Sequence, residues 1–353
     1  MKIAMYDPYL DTLGGGEKYI LTIADCLNRD HEIVLFWDDD TILTKARERF
    51  NMRLENVRTY PNIFSPSVNF VKKISAQREF DVLFFISDGS IPALFAKKNI
   101  LIFQSPVNWV NGNTIPTKLK LKNVSDILCY STFVKEYIDK TFSANALVLS
   151  PAIHTSPYKN EKKENVILSV GRFTKAMNTK KQEVLIESFI SHYKKHFKNW
   201  KLVIIGSVLP KDQDYVEELK EKAKGFPIEI YENTSYEDLV AWYKKAKIYW
   251  HAAGFGEDLT LHPERAEHFG ISTVEAMHFG AVPVVINAGG QKEIVAHDEN
   301  GLLWDSKQDL IDQTVRLMSD TKRWEQLSEQ AQKDAAKFGP DVFCSNVQKL
   351  IIK

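Results

Sequence analysis

The chain has 353 residues, and its 46 lysines and arginines balance its 46 aspartates and glutamates, so the formal net charge is zero. This balance argues against a strongly basic nucleic-acid-binding protein, although it is compatible with a local basic patch. The hydrophobic fraction of 44% is typical of a folded chain and excludes extensive disorder. A chain of this length favours two domains, at roughly 100–200 residues each.

The expected compartment follows from three features of the sequence: its apolar runs, its first residues and its cysteines. There is no run of about 18 apolar residues, so no spanning helix is expected, and the first residues turn polar too early for a signal peptide. Cys26, Cys129 and Cys344 lie far apart and form no CxxC pair. We therefore expect three reduced thiols in a cytoplasmic protein. A peripheral position at the inner membrane face stays open.

Short apolar runs alternate with helical patterns along the whole chain. The predicted strands of the first half are residues 2–6, 32–37, 81–88, 99–104 and 126–131. The predicted strands of the second half are residues 165–172, 200–207, 227–232, 247–252 and 281–286. Continuous apolar strands separated by helices are typical of doubly wound parallel α/β sheets covered on both faces.

This alternation predicts two similar Rossmann-like domains. We expect an N-terminal domain at 1–152, a linker at 153–164, a second domain at 165–335, and a C-terminal helix at 336–353 that returns to the first domain. Ligands of parallel-sheet domains bind outside the carboxyl ends of the strands. The expected active site is therefore the cleft between the two domains.

Residues 264–295 carry the strongest functional pattern. Glu267 and Glu275 are separated by seven residues, and residues 269–271 lead into a predicted helix. The amino end of a helix presents unpaired N–H groups that suit a phosphate, and carboxylates accept hydrogen bonds from sugar hydroxyls. For Glu275 an alternative stays open, because Ser272 and Glu275 also fit a capping box that only closes the helix end.

Two cations follow a predicted strand of the second half. Arg172 stands in Gly-Arg-Phe, and Lys180 precedes a helix. A guanidinium fork and an ammonium group suit a diphosphate. Solvated surface cations are the alternative, and Lys175 and Lys181 compete for the same role.

Two further patterns lie in the first half. Gly14-Gly15-Gly16-Glu17 follows the first strand, and such a turn lets the backbone approach a ligand closely. It is not the GxGxxG of dinucleotide-binding oxidoreductases, so that class is disfavoured. Residues 38–40 are three aspartates, for which a solvated turn is favoured over a metal site. No metal ligand set is predicted, because the histidines lack suitably spaced partners.

In this order along the chain, the patterns resemble the family 4 glycosyltransferases, which have the GT-B fold. The matching segments are GGGEK, GRF with its following lysine, EHFGISTVEAM, and GGQKEIV followed by DENGLLW. The resemblance spans nearly the whole chain and is most specific in the second half. It implies transfer of a sugar from a nucleoside diphosphate with retention of configuration and without a metal or other cofactor. The EHFGI segment leans towards mannose from a GDP donor, and UDP-glucose stays open.

The resemblance also implies a role for each matched residue. Glu275 would hold the ribose, Glu267 would contact hydroxyls of the transferred sugar, and Arg172 with Lys180 would neutralise the leaving diphosphate. The other implied donor contacts are backbone amides of Phe269, Gly270 and Ile271, and the phosphate-covering Gly15 and Gly16.

One position departs from the family pattern. Relatives often carry a histidine after the fifth strand, where this chain has Gln104-Ser105-Pro106. Gln104 can hydrogen-bond a sugar hydroxyl but cannot act as a base, so it either positions the donor sugar or marks a slow or inactive enzyme. His251, which ends a predicted strand, is either a second donor contact or a packed structural histidine.

The acceptor side is less specific. Residues 70–80 and 117–122 combine basic and apolar positions, which suits either an anionic membrane with a lipid-linked acceptor or a solvated surface. Trp109 either stacks on an acceptor sugar or fills the core. The expected partners are a nucleotide-sugar donor and a glycan or lipid-linked glycan, with no nucleic acid. A GT-B phosphorylase or epimerase and a catalytically weak sugar-nucleotide-binding protein remain alternatives.

Overall fold

The computed structural model describes residues 1–154, 156, 158, 161–175 and 179–352. The chain divides into two compact units, a first unit of Met1–Ala152 with Pro340–Lys353 and a second unit of Ile153–Gly339. Residues 155, 157, 159 and 160 of the predicted linker at 153–164 lie outside the described residues. Residue 353 of the predicted C-terminal helix also lies outside them. Within those residues, no helix has both the length and the apolar character needed to cross a bilayer.

In the described residues, the first unit is built on a seven-stranded parallel sheet. Its strands are β1 (Lys2–Tyr6), β2 (Glu32–Phe36), β3 (Val57–Tyr60), β4 (Val82–Ser87), β5 (Lys98–Phe103), β6 (Asp126–Cys129) and β7 (Leu147–Val148). Its connecting helices are α1 (Gly15–Leu27), α2 (Thr41–Phe50), α3 (Phe70–Gln77), α4 (Ile115–Leu121) and α5 (Thr132–Phe142). The sheet order β3-β2-β1-β4-β5-β6-β7 reverses direction between β1 and β4. Ligands of doubly wound sheets bind at such a switch point, outside the carboxyl ends of the strands.

The second unit repeats this architecture with six described strands. They are β8 (Glu164–Val170), β9 (Lys201–Gly206), β10 (Ile228–Glu232), β11 (Ala246–His251), β12 (Val282–Ile286) and β13 (Leu302–Trp304). The helices are α6 (Gln182–His192), α7 (Gln213–Ala223), α8 (Tyr236–Lys245), α9 (Ile271–His278), α10 (Gln291–Ile294), α11 (Lys307–Ser319) and α12 (Thr321–Ala335). The order β10-β9-β8-β11-β12-β13 places the switch point between β8 and β11.

The predicted doubly wound α/β class is confirmed, and the central strands show why the sequence could predict it. All six residues of β4, VLFFIS, are buried, and so are all five of β12, VPVVI. A strand covered on both faces needs apolar side chains at every position. The strands that sequence inspection missed, β3, β7 and β13, are short and lie at sheet edges, where fewer apolar positions are required.

The C-terminal helix α13 (Pro340–Ile352) packs against α1 within the first unit. The rings of Tyr19 and Phe343 lie 5.5 Å apart in this contact. Cys344 forms a disulfide with Cys26, and their Cα atoms are 5.1 Å apart. The prediction of three thiols is therefore wrong for this pair. The two cysteines are 318 residues apart, so spacing along the chain cannot show that their helices lie side by side.

The third cysteine fits the prediction of a thiol. Cys129, at the end of β6, is buried and free. Burial raises the pKa of its thiol to about 12. A thiol with so high a pKa is a poor nucleophile at neutral pH, and Cys129 therefore acts as a small core residue.

Candidate functional site

The switch point of the second unit brings together residues that are distant in sequence. β8 and β11 are adjacent, with Leu168 paired to Tyr249. Their carboxyl ends therefore meet at the same sheet edge. Arg172 follows the end of β8, and His251 is the last residue of β11.

A buried ion pair and a histidine form the centre of this edge. The Lys180 ammonium donates to Glu267 Oε2 at 2.7 Å, and His251 Nε2 lies 2.8 Å from the same oxygen. All three side chains are largely buried. The structure thus unites three predicted site residues in one hydrogen-bonded group.

The charges in this group follow from burial and neighbours. Burial by itself would raise the pKa of Glu267, but the Lys180 charge and the His251 hydrogen bond outweigh it and hold that pKa well below its usual range. Burial lowers the pKa of His251, against the opposing effect of Glu267. At neutral pH the carboxylate is therefore ionised and the imidazole neutral. Because a carboxylate can only accept, His251 donates from Nε2.

The second oxygen of Glu267 is free for a ligand. Lys180 and His251 both contact Oε2, and no described residue forms a hydrogen bond or ion pair with Oε1. His251 can therefore be a packed structural histidine while Glu267 contacts the ligand, because the histidine orients the carboxylate. This arrangement can present one fixed acceptor oxygen to a hydroxyl group.

The four candidate cations near β8 separate into paired and unpaired side chains. Lys175 binds both oxygens of Glu218, at 2.6 and 2.7 Å. Lys181 lies 2.5 Å from Glu257, which also accepts from Arg265. Arg172 is exposed, and its guanidinium has no ion-pair partner among the described residues.

The capping-box interpretation of Glu275 is wrong. The N-cap residue of α9 is Gly270, not Ser272, and Gly270 has no side chain to form a cap. Glu275 is therefore the fifth helical residue and lies beyond the position that a capping box requires. Ser272 donates instead to the carbonyl of Val170. Glu275 accepts a hydrogen bond of 2.8 Å from the buried Tyr243 hydroxyl. Its carboxylate is therefore held by α8, not used to close its own helix.

The amino end of α9 has free backbone donors. No described residue accepts a hydrogen bond from the amides of Phe269, Gly270 or Ile271. Gly270 has φ of +120°, a conformation that other residues rarely adopt, and a Cβ there would come within 2.8 Å of the Gln291 amide. Phe269 packs its ring 5.3 Å from that of Phe338, so only its backbone is available.

The glycine-rich segment of the first unit begins α1. Gly14 donates its amide to Glu17 Oε2 at 2.6 Å. Gln104 donates through Nε2 to the carbonyl of Gly16 at 3.0 Å, and the Tyr130 hydroxyl donates to the same carbonyl at 3.3 Å. Gln104 therefore supports the glycine turn. The phosphate-covering role of Gly15 and Gly16 stays a prediction.

Asp7 is a candidate residue that sequence inspection missed. It follows β1 at the switch point of the first unit and is buried, and its Oδ2 has no partner among the described residues. Burial, with added repulsion from Glu17 and Asp11, raises its pKa to about 7, although the Tyr9 amide donates to it. Nothing in its local sequence marks it, because the burial of a residue after a strand depends on the tertiary packing around it.

The Asp7→Asn variant is expected to be more stable than the wild type, by an amount that grows as the pH rises. The carboxyl has a pKa of about 7 in the folded protein against 3.8 for the ordinary side chain, so the unfolded chain releases the proton first. The free energy of unfolding of the wild type therefore falls between these pH values, by an amount on the order of a few kcal/mol. Asn cannot titrate, so the melting temperature of the variant should exceed that of the wild type at about pH 8. The difference between the two melting temperatures should be much smaller at about pH 4.

Asp40→Asn is the matched control, since Asp40 is exposed. It should show no such trend with pH. A difference between Asp7→Asn and wild type that is equal at both pH values would contradict the buried-carboxyl assignment.

The aspartates at 38–40 form the solvated turn that was favoured. All three are exposed, Asp39 accepts from the amide and hydroxyl of Thr41, and Asp38 accepts from the amide of Asn62. Across the part of the chain that the structure describes, no group of three or more His, Cys, Asp or Glu side chains is arranged to hold a metal ion.

Solved structures of other proteins share this fold over the whole chain. A glycosyltransferase from Rickettsia africae superimposes with a TM-score of 0.76 at 16% identity and covers 99% of this chain and 97% of its own. Anabaena HepE, solved with UDP, has a TM-score of 0.74 at 20% identity and covers all of both chains. Two doubly wound parallel sheets with these neighbours define the GT-B fold, as predicted.

Sequence relatives identify the class. The Dictyostelium discoideum GDP-Man:Man(3)GlcNAc(2)-PP-Dol alpha-1,2-mannosyltransferase is 21% identical over 99% of this chain and 84% of that protein. A glycogen synthase from Caldicellulosiruptor bescii is 37% identical over 27% of this chain and 17% of its own. The profile of the family described as "Glycosyl transferases group 1" matches residues 153–334, just over half of the chain. The chain belongs to this family and is a glycosyltransferase.

Proposed function

We propose that the protein transfers a hexose from a nucleoside-diphosphate donor to a hydroxyl of a glycan or lipid-linked glycan. The transfer retains the anomeric configuration and needs no metal ion or other cofactor. The observation that carries this proposal is the group at the switch point of the second unit, where Lys180, Glu267 and His251 are hydrogen-bonded beside the unpaired Arg172. Free amides at the start of α9 add further donors.

The proposed chemistry matches each charge that develops with a group of opposite sign. Breaking the bond between sugar and phosphate leaves negative charge on the diphosphate and positive charge on the sugar. Arg172 binds two phosphate oxygens with its fork, and Lys180 supplies a second positive charge. Glu267 accepts a sugar hydroxyl through Oε1, while His251 keeps it in place. Glu275 accepts from the ribose hydroxyls.

The donor is proposed to be GDP-mannose, with UDP-glucose as the alternative. Mannose is supported by the names of the relatives, among them the Dictyostelium discoideum enzyme. The alternative is supported by the Anabaena HepE structure solved with UDP-glucose, whose likeness extends over the whole chain. Calorimetric titration with GDP, UDP and their sugars decides between them.

Glu275→Ala is expected to weaken donor binding by about 10–100-fold. The variant removes the charged acceptor of the ribose hydroxyls, and a hydrogen bond to a charged group contributes about 1.5–3 kcal/mol. Calorimetry with the preferred nucleotide measures the affinity. Tyr243→Phe is the matched control, because it removes the hydroxyl that contacts Glu275 and leaves the carboxylate. An unchanged affinity in Glu275→Ala would refute the ribose role.

Retention and metal independence are tested in the same assay. The product formed in the presence of EDTA should appear at the wild-type rate, and proton NMR should show an unchanged anomeric configuration. Loss of activity in EDTA that Mg²⁺ or Mn²⁺ restores would overturn the metal-free proposal, as an inverted product would overturn retention. Slow donor hydrolysis without acceptor would exclude an inactive binding protein.

The proposed location is the cytoplasm, at the inner face of a membrane. A lipid-linked acceptor would place the enzyme at that surface. The Cys26–Cys344 disulfide is unusual for a reducing compartment, so its state in cells bears directly on this proposal.

A further inference from the structure

Two helices of the first unit expose apolar and basic side chains together. α3 has the sequence FVKKISAQ and α4 the sequence IPTKLKL, without an acidic residue in either. Four of the large apolar side chains on them are exposed to an unusual degree, at 60% for Phe70, 75% for Val71, 76% for Ile115 and 57% for Leu119. We call the exposed side chains of α3 and α4, with the half-buried Lys73 and with Lys122 at the end of α4, the α3–α4 face. Monomeric soluble proteins rarely expose apolar groups in such a concentration.

The lysines of the α3–α4 face have no carboxylate partners. None of its five lysines has an Asp or Glu oxygen within 4.0 Å among the described residues. They are Lys72, Lys73, Lys118, Lys120 and Lys122. Three exposed lysines of the second unit differ, since Lys175, Lys222 and Lys224 each bind a glutamate. A chain with zero net charge thus carries a local patch of uncompensated positive charge.

Both helices border one cavity of about 440 Å³ at the switch point of the first unit. Phe70 and Lys73 line it from α3, Lys120 lines it from α4, and Tyr6 and Asp88 line it from the ends of β1 and β4. The two helices therefore lie on the same side of the unit and present a continuous surface around the cavity mouth.

Trp109 extends this surface. It is 55% exposed, so it does not fill the core. A Cβ at Gly89 would lie 3.3 Å from its indole nitrogen, and the neighbours Asp88 and Ser90 both line the cavity. Exposed Trp side chains are typical of membrane interfaces, where the ring reaches the apolar layer and the N–H meets the headgroups.

We propose that the α3–α4 face, with Trp109, docks on the surface of an anionic lipid bilayer. The lysines attract the negative surface potential of the membrane, and the exposed aromatic and aliphatic side chains enter the boundary between headgroups and acyl chains. A bilayer is favoured over a folded protein partner, because the charges on the two helices are of one sign and the apolar side chains project from two short helices. The cavity then faces the layer in which the headgroup of a lipid-linked acceptor lies; this last step alone rests on the proposed function.

Vesicle flotation of the full-length protein tests the docking. The wild type should float with equimolar phosphatidylcholine and phosphatidylglycerol vesicles, should not float with phosphatidylcholine alone, and should bind less as salt is raised. The triple variant Lys72→Gln, Lys118→Gln, Lys120→Gln should bind about 100-fold more weakly, at roughly a factor of five per lysine. The double variant Phe70→Ser, Ile115→Ser should also lose binding.

A matched triple variant controls for net charge. Lys175→Gln, Lys222→Gln, Lys224→Gln removes the same three charges from exposed sites of the second unit and should float like the wild type. Equal loss in both triple variants, equal flotation with neutral vesicles, or retention of binding by the α3–α4 variants would overturn the proposal. Donor affinity, measured by calorimetry on the same proteins, is independent of flotation, so failure of the proposed function is seen separately.

Discussion

Arg172→Ala is expected to lower turnover by about 10²–10³-fold and to leave the melting temperature within about 1 °C of the wild type. Arg172 is exposed, and its side chain has no hydrogen bond or ion pair with another described residue, so its removal is expected to cost little stability. In the transition state its fork stabilises the charge that develops on the leaving diphosphate. The loss should therefore fall mainly on kcat, since the charge is smaller in the bound donor.

The assay is release of nucleoside diphosphate from the donor that binds in calorimetry, beside a thermal melt of each variant. Lys175→Ala is the matched control, because Lys175 is an exposed cation three residues further on that is paired with Glu218. It should keep wild-type turnover. Arg172→Lys should recover only part of the rate, since an ammonium group retains the charge but not the fork.

Two results would exclude the diphosphate role of Arg172. One is wild-type turnover in Arg172→Ala. The other is an equal loss in Lys175→Ala, which would show that general positive potential matters and not a placed guanidinium group. A large drop in the melting temperature of Arg172→Ala would instead reveal a structural contact.

Removal of the disulfide is the second change with a large expected effect. Cys344→Ser should lower the melting temperature of the first unit by about 5–15 °C. The disulfide joins α1 to α13 across 318 residues, and loss of a native disulfide commonly costs about 2–5 kcal/mol, chiefly by freeing the unfolded chain. Differential scanning calorimetry should resolve this transition from that of the second unit.

Reduction supplies the internal control for this experiment. Reductant should bring the wild type to the melting temperature of Cys344→Ser and should leave the variant unchanged. A variant that melts like the untreated wild type would contradict the stabilising role. Alkylation of denatured, unreduced wild type should label Cys129 only. Labelling of all three cysteines in protein taken directly from cells would support a reducing compartment and the cytoplasmic proposal.

Sequence inspection located the strands and the motif residues because both depend on local pattern. A central strand such as β4 is apolar at every position, so it is visible within a few residues. Arg172, Glu267 and Glu275 were predicted from short local patterns, and the resemblance of these segments to a family implied a role for each. The edge strands β3, β7 and β13 escaped because their few residues carry little of this signal.

Pairing between distant residues was beyond sequence inspection. Arg172 and Lys180 are the predicted diphosphate ligands, with Lys175 and Lys181 as competitors, and the sequence does not show that Lys180 binds Glu267 across 87 residues or that Lys181 binds Glu257 across 76 residues. Of these four cations, only Arg172 has no ion-pair partner among the described residues. The same limit applies to Glu275, whose partner Tyr243 lies on another helix. The N-cap residue of α9 is Gly270, whereas the sequence also fitted a cap formed by Ser272.

The amino-acid sequence alone determined the α/β class, the doubling of the architecture and the residue types needed to bind a sugar nucleotide, because apolar periodicity and glycine turns act over neighbouring residues. The tertiary structure decided which of those residues meet. The crossover between β8 and β11 brings Lys180, Glu267 and His251 together. Packing of α13 on α1 brings two cysteines that are distant in sequence close enough to form a disulfide. The zero net charge conceals a patch of unpaired lysines, because which charges neutralise one another depends on distance in space rather than on totals.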